Sequence, residues 1–310
     1  MDDGSGGALT RLRLDIAYDG AGFSGWGAQP ALRTVQGVLE QALATLFSRS
    51  GPAPRLVVAG RTDAGVHATG QVAHVDLSSA QLATLSVHRG VATSADAPST
   101  LLRRMNGIAG LDSDVWVTGV SFAPTGFDAR FSAIWRRYEY RVSDGAGPRN
   151  PLERGRTLWY PAELDLDSMN TAALSLLGLH DWAAYCKPRE GATSIRTLQD
   201  YRWRRNDEGV LIAFVQADAF CHSMVRALVG ATIAVGEGKL KVDALRIIRD
   251  RLVRSNDFKV APAKGLTLLE VGYPADDELL ARAEQTRAVR PPLRPTEPAV
   301  SGAFATDPLL

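Results

Sequence analysis

The residues whose types and spacing could most directly do chemistry lie in the run Gly60-Arg61-Thr62-Asp63-Ala64-Gly65-Val66-His67. This polar loop breaks abruptly from an apolar segment, residues 56–59, and has a glycine on each side. Short loops on rigid sheets commonly carry function. An arginine two residues from an aspartate can support a carboxylate kept ionised in a partly dry site, because positive charge favours the charged form. A turn held by an Asp-to-backbone bond explains the same residues equally well, and both interpretations stay open.

Two further positions could carry function. Residues 134–142 alternate as in a strand, and Tyr138 shares its otherwise apolar face with Arg136. A tyrosine there could stack on a base, or it could be an ordinary core tyrosine with a satisfied hydroxyl. Arg226 lies inside an apolar run, residues 219–235, where a charge needs a partner and a carboxylate is the natural one. The alternative is an arginine that snorkels at the helix edge.

Two familiar binding motifs are not expected. The run from Gly20 to Gly25 reads as G-x-G-x-x-G, but Pro30 and a predicted helix cap at Thr34 delay the helix that should open at these glycines. We therefore predict a flexible loop with two aromatic anchors and no nucleotide cofactor. The histidines form no H-E-x-x-H pair and have no cysteine pair nearby, so no metal site is predicted. They are His67, His74, His88, His180 and His222.

The elements that must position these residues can be predicted from periodicity and turn chemistry. The predicted strands are residues 12–18, 56–59, 71–76, 115–122, 134–142, 195–204, 210–217 and 266–273. One predicted helix begins at residue 35, and three others span residues 166–177, 222–235 and 242–252. A weakly patterned stretch within 78–112 is also predicted to be helical. Hairpins mixed with helices favour an α+β fold over strictly alternating parallel α/β.

Composition excludes several classes of protein. The chain has 310 residues, 45% of them hydrophobic, and a net charge of +1, so no global field draws it onto nucleic acid or lipid. It contains no apolar run of roughly 18 residues, so no membrane association is expected. Cys186 and Cys221 are the only cysteines, which excludes a disulfide scaffold and a four-cysteine zinc site. With no secretory pattern at the start, a reducing cytoplasm is the expected location.

Taken together, these segments resemble the tRNA pseudouridine synthase A family. Any one matching run could occur by chance, but five in the family's order, across most of residues 12–274, are highly specific. They are YDGAGFSGW with RTVQGVLEQAL, AGRTDAGVHATGQVAH, FDARFSAIWRRYEYR, AFCHSMVRALVG and APAKGLTLLEVGYP.

The resemblance implies a fold and an organisation. The family has two similar α+β domains with largely antiparallel sheets flanked by helices and an active-site cleft between them. On this chain the implied domains are residues 9–125, which carry the Asp63 loop, and residues 126–275. Residues 1–8, and the charged and then Pro-rich tail 276–310, are expected to be disordered.

The resemblance also implies an activity. Family members isomerise uridine to pseudouridine in the anticodon stem-loop of tRNA, at positions 38, 39 and 40, without cofactor or metal, and typically act as homodimers. By resemblance Asp63 is the nucleophile, Arg61 assists base extrusion or phosphate contact, and Arg226 pairs with the catalytic aspartate. The implied substrate-binding residues, which stack on or enclose the target base, are Tyr138, Leu266 and Leu268.

Some positions depart from the family pattern. Gly27 stands where many members have glutamine, Cys221 and Ser223 replace bulkier residues near Arg226, and residues 81–100 form a longer region. These changes could alter tRNA contacts or dimer packing. The sequence leaves open whether the aspartate attacks the base or acts at the sugar. Two competing functions are a non-catalytic RNA-binding protein on the same scaffold and a nicotinamide-dependent oxidoreductase that uses the Gly20 loop.

Overall fold

Strands from both halves of the chain build the structure, a computed structural model that describes residues 9–88, 91–92, 96–189 and 193–288. The strands are β1 Thr10–Tyr18, β2 Leu56–Val58, β3 His67–Leu77, β4 Val87–His88, β5 Val91–Ala92, β6 Val115–Phe122, β7 Trp135–Ser143, β8 Leu158–Trp159, β9 Gly178–Asp181, β10 Ile195–Arg205, β11 Leu211–Ala217 and β12 Leu266–Gly272. The helices are α1 Val35–Leu46, α2 Ser79–Ser86, α3 Ala97–Ala109, α4 Leu166–Leu174, α5 Met224–Gly236, α6 Ala244–Asp250 and α7 Leu279–Arg287.

Ten of these strands form one sheet in the order β6-β1-β3-β12-β7-β11-β10-β9, with β2 on β3 and β8 on β7. Only the pairs β3–β12 and β7–β8 are parallel, so the predicted α+β fold with a largely antiparallel sheet is confirmed. The late strand β12 lies between β3 from the first half and β7 from the second. The strand that carries Tyr138 and the strand that follows the Asp63 loop therefore flank β12 on its two sides.

Local sequence patterns explain the elements that build the core. Leu12, Leu14 and Ile16 alternate along β1 and are fully buried. Thr34 caps α1, since its side chain accepts a hydrogen bond from the backbone N–H of Gly37 at 3.2 Å, as its position predicted. In α5 every residue except Arg226 is buried. The arginine is thus the one charged residue of a largely apolar helix.

Several boundaries differ from the sequence-based prediction. Helix α5 begins at Met224 and not at residue 222, because Ser223 adopts a left-handed conformation with φ 64°. The weakly patterned region 78–112 contains two helices, α2 and α3, with the short β4–β5 hairpin between them. Strands β8 and β9 were not predicted, since two to four residues are too few to show alternation.

The predicted disorder of the tail is wrong for residues 276–288. A short 3-10 helix, Asp276–Glu278, leads into α7, which buries Leu279 and Ala283 one helical turn apart. The Ser132 hydroxyl donates to the Leu279 carbonyl at 3.1 Å. The charged composition concealed this helix because only two apolar residues anchor it. The rest of the predicted tail, and residues 1–8, lie outside the described residues.

The two cysteines lie together. Cys186 and Cys221 are joined as a disulfide, with their Cα atoms 5.8 Å apart. The pair connects the segment after the 3-10 helix Ala183–Tyr185 to the segment that enters α5. One cross-link in a chain of this size is not a disulfide scaffold, but the pairing itself was not expected from the sequence.

His74 on β3 makes the stability of the fold depend on pH. Burial, followed by the charge of Arg11, lowers the pKa of His74 to about 4, although Asp128 and Asp76 oppose the shift. Its Nδ1 accepts a hydrogen bond from the N–H of Ala129 at 3.0 Å.

Replacement of His74 by asparagine should keep this acceptor and remove the titration. An ordinary histidine titrates near 6.5, so the unfolded chain takes up the proton first. The contribution of His74 is therefore fully present above pH 6.5 and is lost as the pH falls towards 4, by up to about 3 kcal/mol. Urea denaturation of both proteins between pH 7 and 4 would show their stability difference changing by this amount. A difference independent of pH would contradict the prediction.

Candidate active site

Asp63 lies in the loop between β2 and β3, and glycine geometry shapes that loop. Gly65 has φ +77°, a conformation that favours glycine, and a Cβ there would lie 3.2 Å from the Cβ of Ala263. The backbone N–H of Val66 donates to the carbonyl of Asp63 at 3.2 Å and closes the turn. The loop is thus held tightly while the Asp63 carboxylate stays 27% exposed.

The Gly-rich loop after β1 packs against the Asp63 loop. The N–H of Trp26 donates to the Thr62 carbonyl at 3.1 Å, and the N–H of Gly65 donates to the Phe23 carbonyl at 3.3 Å. Gly25 has φ +93°, and a Cβ there would lie 3.0 Å from the Thr62 oxygen. Phe23 and Trp26 are buried, as expected for aromatic anchors. This loop therefore supports the Asp63 loop and, contrary to the sequence-based prediction, is tied to it by hydrogen bonds.

Three side chains contact the Asp63 carboxylate: His222 and Ser223 from the segment that enters α5, and Arg226 from its first turn. Arg226 Nη1 lies 3.3 Å from Asp63 Oδ2, and the Ser223 hydroxyl donates to the same oxygen at 3.3 Å. His222 Nε2 lies 3.5 Å from the other oxygen, Oδ1. Arg226 Nε donates to the Ala261 carbonyl at 2.7 Å, which fixes the guanidinium plane. The structure thus brings Asp63 and Arg226 together, and it adds His222 and Ser223, which sequence reasoning did not assign.

Arg61 does not act as the local support of Asp63 that the spacing suggested. Its side chain is exposed, and its guanidinium lies alongside Gly27, where an added Cβ would be 3.4 Å from Arg61 Nε. The ion pair of Asp63 comes instead from Arg226, 163 residues further along the chain. Arg61 is left facing outward at the rim of the site.

Tyr138 is buried among apolar residues near Asp63. On β7 it lies opposite Leu268 on β12 and Val215 on β11, and its ring meets that of Phe220 edge to face at 5.2 Å. Burial raises the pKa of the Tyr138 hydroxyl well above its ordinary value, and the nearby Asp63 carboxylate adds to the effect. The hydroxyl therefore stays neutral. Leu266 is buried two pairs further along the same two strands, opposite Tyr140.

Arg136 joins the two loops of the site, a role that the sequence did not reveal. The side chain is buried, and burial lowers its pKa. It donates to three backbone carbonyls: Asp218 at 2.7 Å, Ala59 at 2.9 Å and Arg130 at 3.0 Å. Ala59 precedes the Asp63 loop and Asp218 precedes the segment that enters α5. One guanidinium thus sets the spacing between both halves of the site.

Replacement of Arg136 by methionine should destabilise the protein by about 3 kcal/mol or more, because three carbonyls lose a donor. Urea denaturation would measure the loss. Lysine at the same position keeps the charge but not the forked geometry, so an intermediate loss is expected. A methionine variant within about 1 kcal/mol of wild type would contradict this role.

The described residues contain neither a metal-binding cluster nor a membrane-spanning helix. Across 9–88, 91–92, 96–189 and 193–288, no group of three or more histidine, cysteine, aspartate or glutamate side chains could hold a metal ion. Over the same residues, every helix is too short or too polar to cross a bilayer. His67 and His74 instead accept backbone hydrogen bonds at Nδ1, from Gly20 and Ala129.

The fold and this aspartate–arginine site define a class of protein that comparison with known sequences identifies. Residues 172–274 match a family model described as tRNA pseudouridine synthase. This segment covers α5 and β12, which carry Arg226 and Leu268.

Relatives that align over most of the chain identify the family within this class. The tRNA pseudouridine synthase A of Leifsonia xyli is 62% identical over 91% of this chain and 98% of its own length. The enzyme of Frankia casuarinae is 52% identical over 96% of this chain and 100% of its own length. The enzyme of Mycobacterium leprae is 48% identical over 90% of this chain and 95% of its own length. The chain therefore belongs to the tRNA pseudouridine synthase A family, as the sequence motifs predicted, and it is an isomerase.

Proposed function

We propose that this protein converts uridine to pseudouridine in the anticodon stem-loop of tRNA, at positions 38, 39 and 40, with Asp63 as the nucleophile. One observation carries the proposal. The partly exposed Asp63 carboxylate is paired with Arg226 and lies near enough to Tyr138 to help raise the pKa of that buried hydroxyl. Tyr138 in turn lies opposite Leu268 on β12. Membership of the family supports tRNA as the substrate.

The residue types suit the reaction. Isomerisation breaks the bond between the ribose C1′ and N1 of uracil, turns the base and rejoins it through C5, from which a proton leaves. An ionised carboxylate can attack covalently or act at the sugar. The Arg226 guanidinium, 3.3 Å from Oδ2, can orient the Asp63 carboxylate before and after this step. The protein needs no cofactor for these steps.

The surroundings of Asp63 suit an extruded base. Removing a paired base from its stack costs a few kcal/mol, which stacking and charge contacts can offset. Tyr138 is proposed to stack on the uracil, with Leu266 and Leu268 as apolar walls that keep the freed base from water. Arg61, exposed at the rim, is proposed to assist base extrusion or to contact a phosphate.

The assembly and the location of the protein are also proposals. Family resemblance supports a homodimer in which one tRNA reaches both subunits, and a cytoplasmic location. Light scattering of the full chain with and without tRNA would test the dimer.

Release of tritium from tRNA labelled at uracil C5 tests the proposed reaction directly, since the C5 hydrogen must leave when carbon replaces nitrogen at the sugar. We expect release from a tRNA with uridines at positions 38 to 40. A matched tRNA with cytidine at those three positions, and labelled uridines elsewhere, should release none. Binding without release from either tRNA would favour the RNA-binding alternative. Equal release from both would overturn the proposed target positions.

A further inference from the structure

Ser223 adopts a backbone conformation that is unusual for its residue type. Its φ and ψ are 64° and 9°, in the left-handed region, at the residue that precedes α5. A Cβ makes this region unfavourable, and glycine occupies it readily. Strained residues of this kind persist only where the surroundings impose them, and they cluster at functional sites.

The surroundings of Ser223 do impose it. The carbonyls of the two residues before it are engaged: His222 accepts from the N–H of Lys187 at 3.0 Å, and Cys221 accepts from the N–H of Met224 at 3.0 Å. The Ser223 carbonyl accepts the hydrogen bond of Ala227 within α5, also at 3.0 Å. The loop entering the helix is therefore fixed, and the direction of the Ser223 side chain with it.

The direction of the Ser223 side chain gives the two carboxylate oxygens of Asp63 different hydrogen-bond partners. Oδ2 accepts hydrogen bonds from the Ser223 hydroxyl and from Arg226 Nη1, both at 3.3 Å. Within the described residues, the one polar side chain that contacts Oδ1 is His222, whose Nε2 lies 3.5 Å away. The His222 side chain is 46% exposed, so this edge of the carboxylate is the open one.

We infer that Ser223 is a positioning residue which, with Arg226, holds Oδ2 so that Oδ1 is the oxygen that reacts. This inference rests on the proposed function. For attack at the ribose, the Oδ1 electron pair forms the new bond to C1′, and the C1′–N1 pair leaves with the uracil. For action as a base at the sugar, Oδ1 takes the proton. In both routes Oδ2 keeps its two hydrogen bonds, so the carboxylate does not rotate during the reaction.

The variant Ser223→Gly removes the hydroxyl and also relieves the backbone strain, so it distinguishes the effect of the hydroxyl on catalysis from the effect of the strain on stability. Glycine relaxes the left-handed residue, so we expect thermal stability equal to or above wild type. Loss of one hydrogen bond to a charged group should lower single-turnover kcat about tenfold to hundredfold, with KM for tRNA within about twofold of wild type. Ser223→Ala removes the hydroxyl but keeps the strain, and should show the same fall in kcat.

Asparagine at position 223 should restore the hydrogen bond to Asp63 and with it the activity. It tolerates the left-handed region and offers an amide N–H, so Ser223→Asn should recover kcat to within about fivefold of wild type. Leu252→Gly is the matched control, because Leu252 also has a positive φ, 56°, and is exposed after α6. Its kcat should equal that of wild type.

The outcomes distinguish this inference from the function on which it rests. Wild-type kcat in both Ser223→Gly and Ser223→Ala, while the wild-type enzyme releases tritium normally, would overturn the positioning role and leave the activity standing. A rise in KM at unchanged kcat would also overturn it, since the residue would then bind RNA. Wild-type protein that binds tRNA and releases no tritium would overturn the proposed function itself.

Discussion

Replacement of Asp63 by asparagine should abolish tritium release, lowering kcat about 10⁴-fold or more, as loss of a nucleophile does in other enzymes. Asparagine has nearly the size of aspartate, so the loop between β2 and β3 should keep its shape. The amide is uncharged, and its oxygen is a far weaker nucleophile and base than a carboxylate oxygen. Single-turnover assays with excess enzyme would measure the loss.

Binding and folding provide the controls for this variant. Affinity for tRNA should change little, because phosphate contacts dominate affinity for nucleic acids. Asp207→Asn, on the exposed turn between β10 and β11, should retain full activity. Substantial residual turnover in Asp63→Asn would show that another group is the nucleophile.

Replacement of Arg226 by lysine should lower kcat about hundredfold, because a charge-assisted hydrogen bond contributes about 1.5–3 kcal/mol. The guanidinium makes two contacts with fixed geometry, Nη1 to Asp63 at 3.3 Å and Nε to the Ala261 carbonyl at 2.7 Å. A single ammonium group cannot make both in the same plane. Methionine, which removes the charge, should cost more, about 10³-fold in kcat.

The comparison for Arg226 is an arginine whose ion pair is exposed. Arg251 pairs with Asp257 at 2.7 Å on the surface, where such pairs contribute little. Arg251→Lys should therefore leave kcat unchanged. If Arg226→Lys retained wild-type kcat and only weakened tRNA binding, the arginine would be an RNA contact and not the support of Asp63.

Much of the fold could be predicted from local sequence patterns. The alternation in β1, the cap at Thr34 and the apolar face of α1 each depend on residues within a few positions, so the pattern predicted them. Prediction failed where a distant contact decided the outcome. Helix α7 exists because Leu279 packs on the segment near Ser132, and α5 starts late because Ser223 is held in a left-handed conformation.

The candidate site shows the same division. The motif around Asp63, the alternation around Tyr138 and the lone charge at Arg226 were visible in the sequence, and the order of five motifs indicated the family. The spacing suggested Arg61 as the partner of Asp63, whereas the structure supplies Arg226. Nothing local to Arg136 indicated that it spans Ala59 and Asp218.

The sequence by itself therefore determined most of the longer elements, the α+β class and the residue types available for chemistry, since those follow from short-range periodicity, caps and turns. Only the tertiary structure decided which side chains meet. Asp63 precedes β3 and Arg226 follows β11, and the order β3-β12-β7-β11 brings their ends together. That order depends on pairing between strands far apart in the chain, which no local pattern encodes.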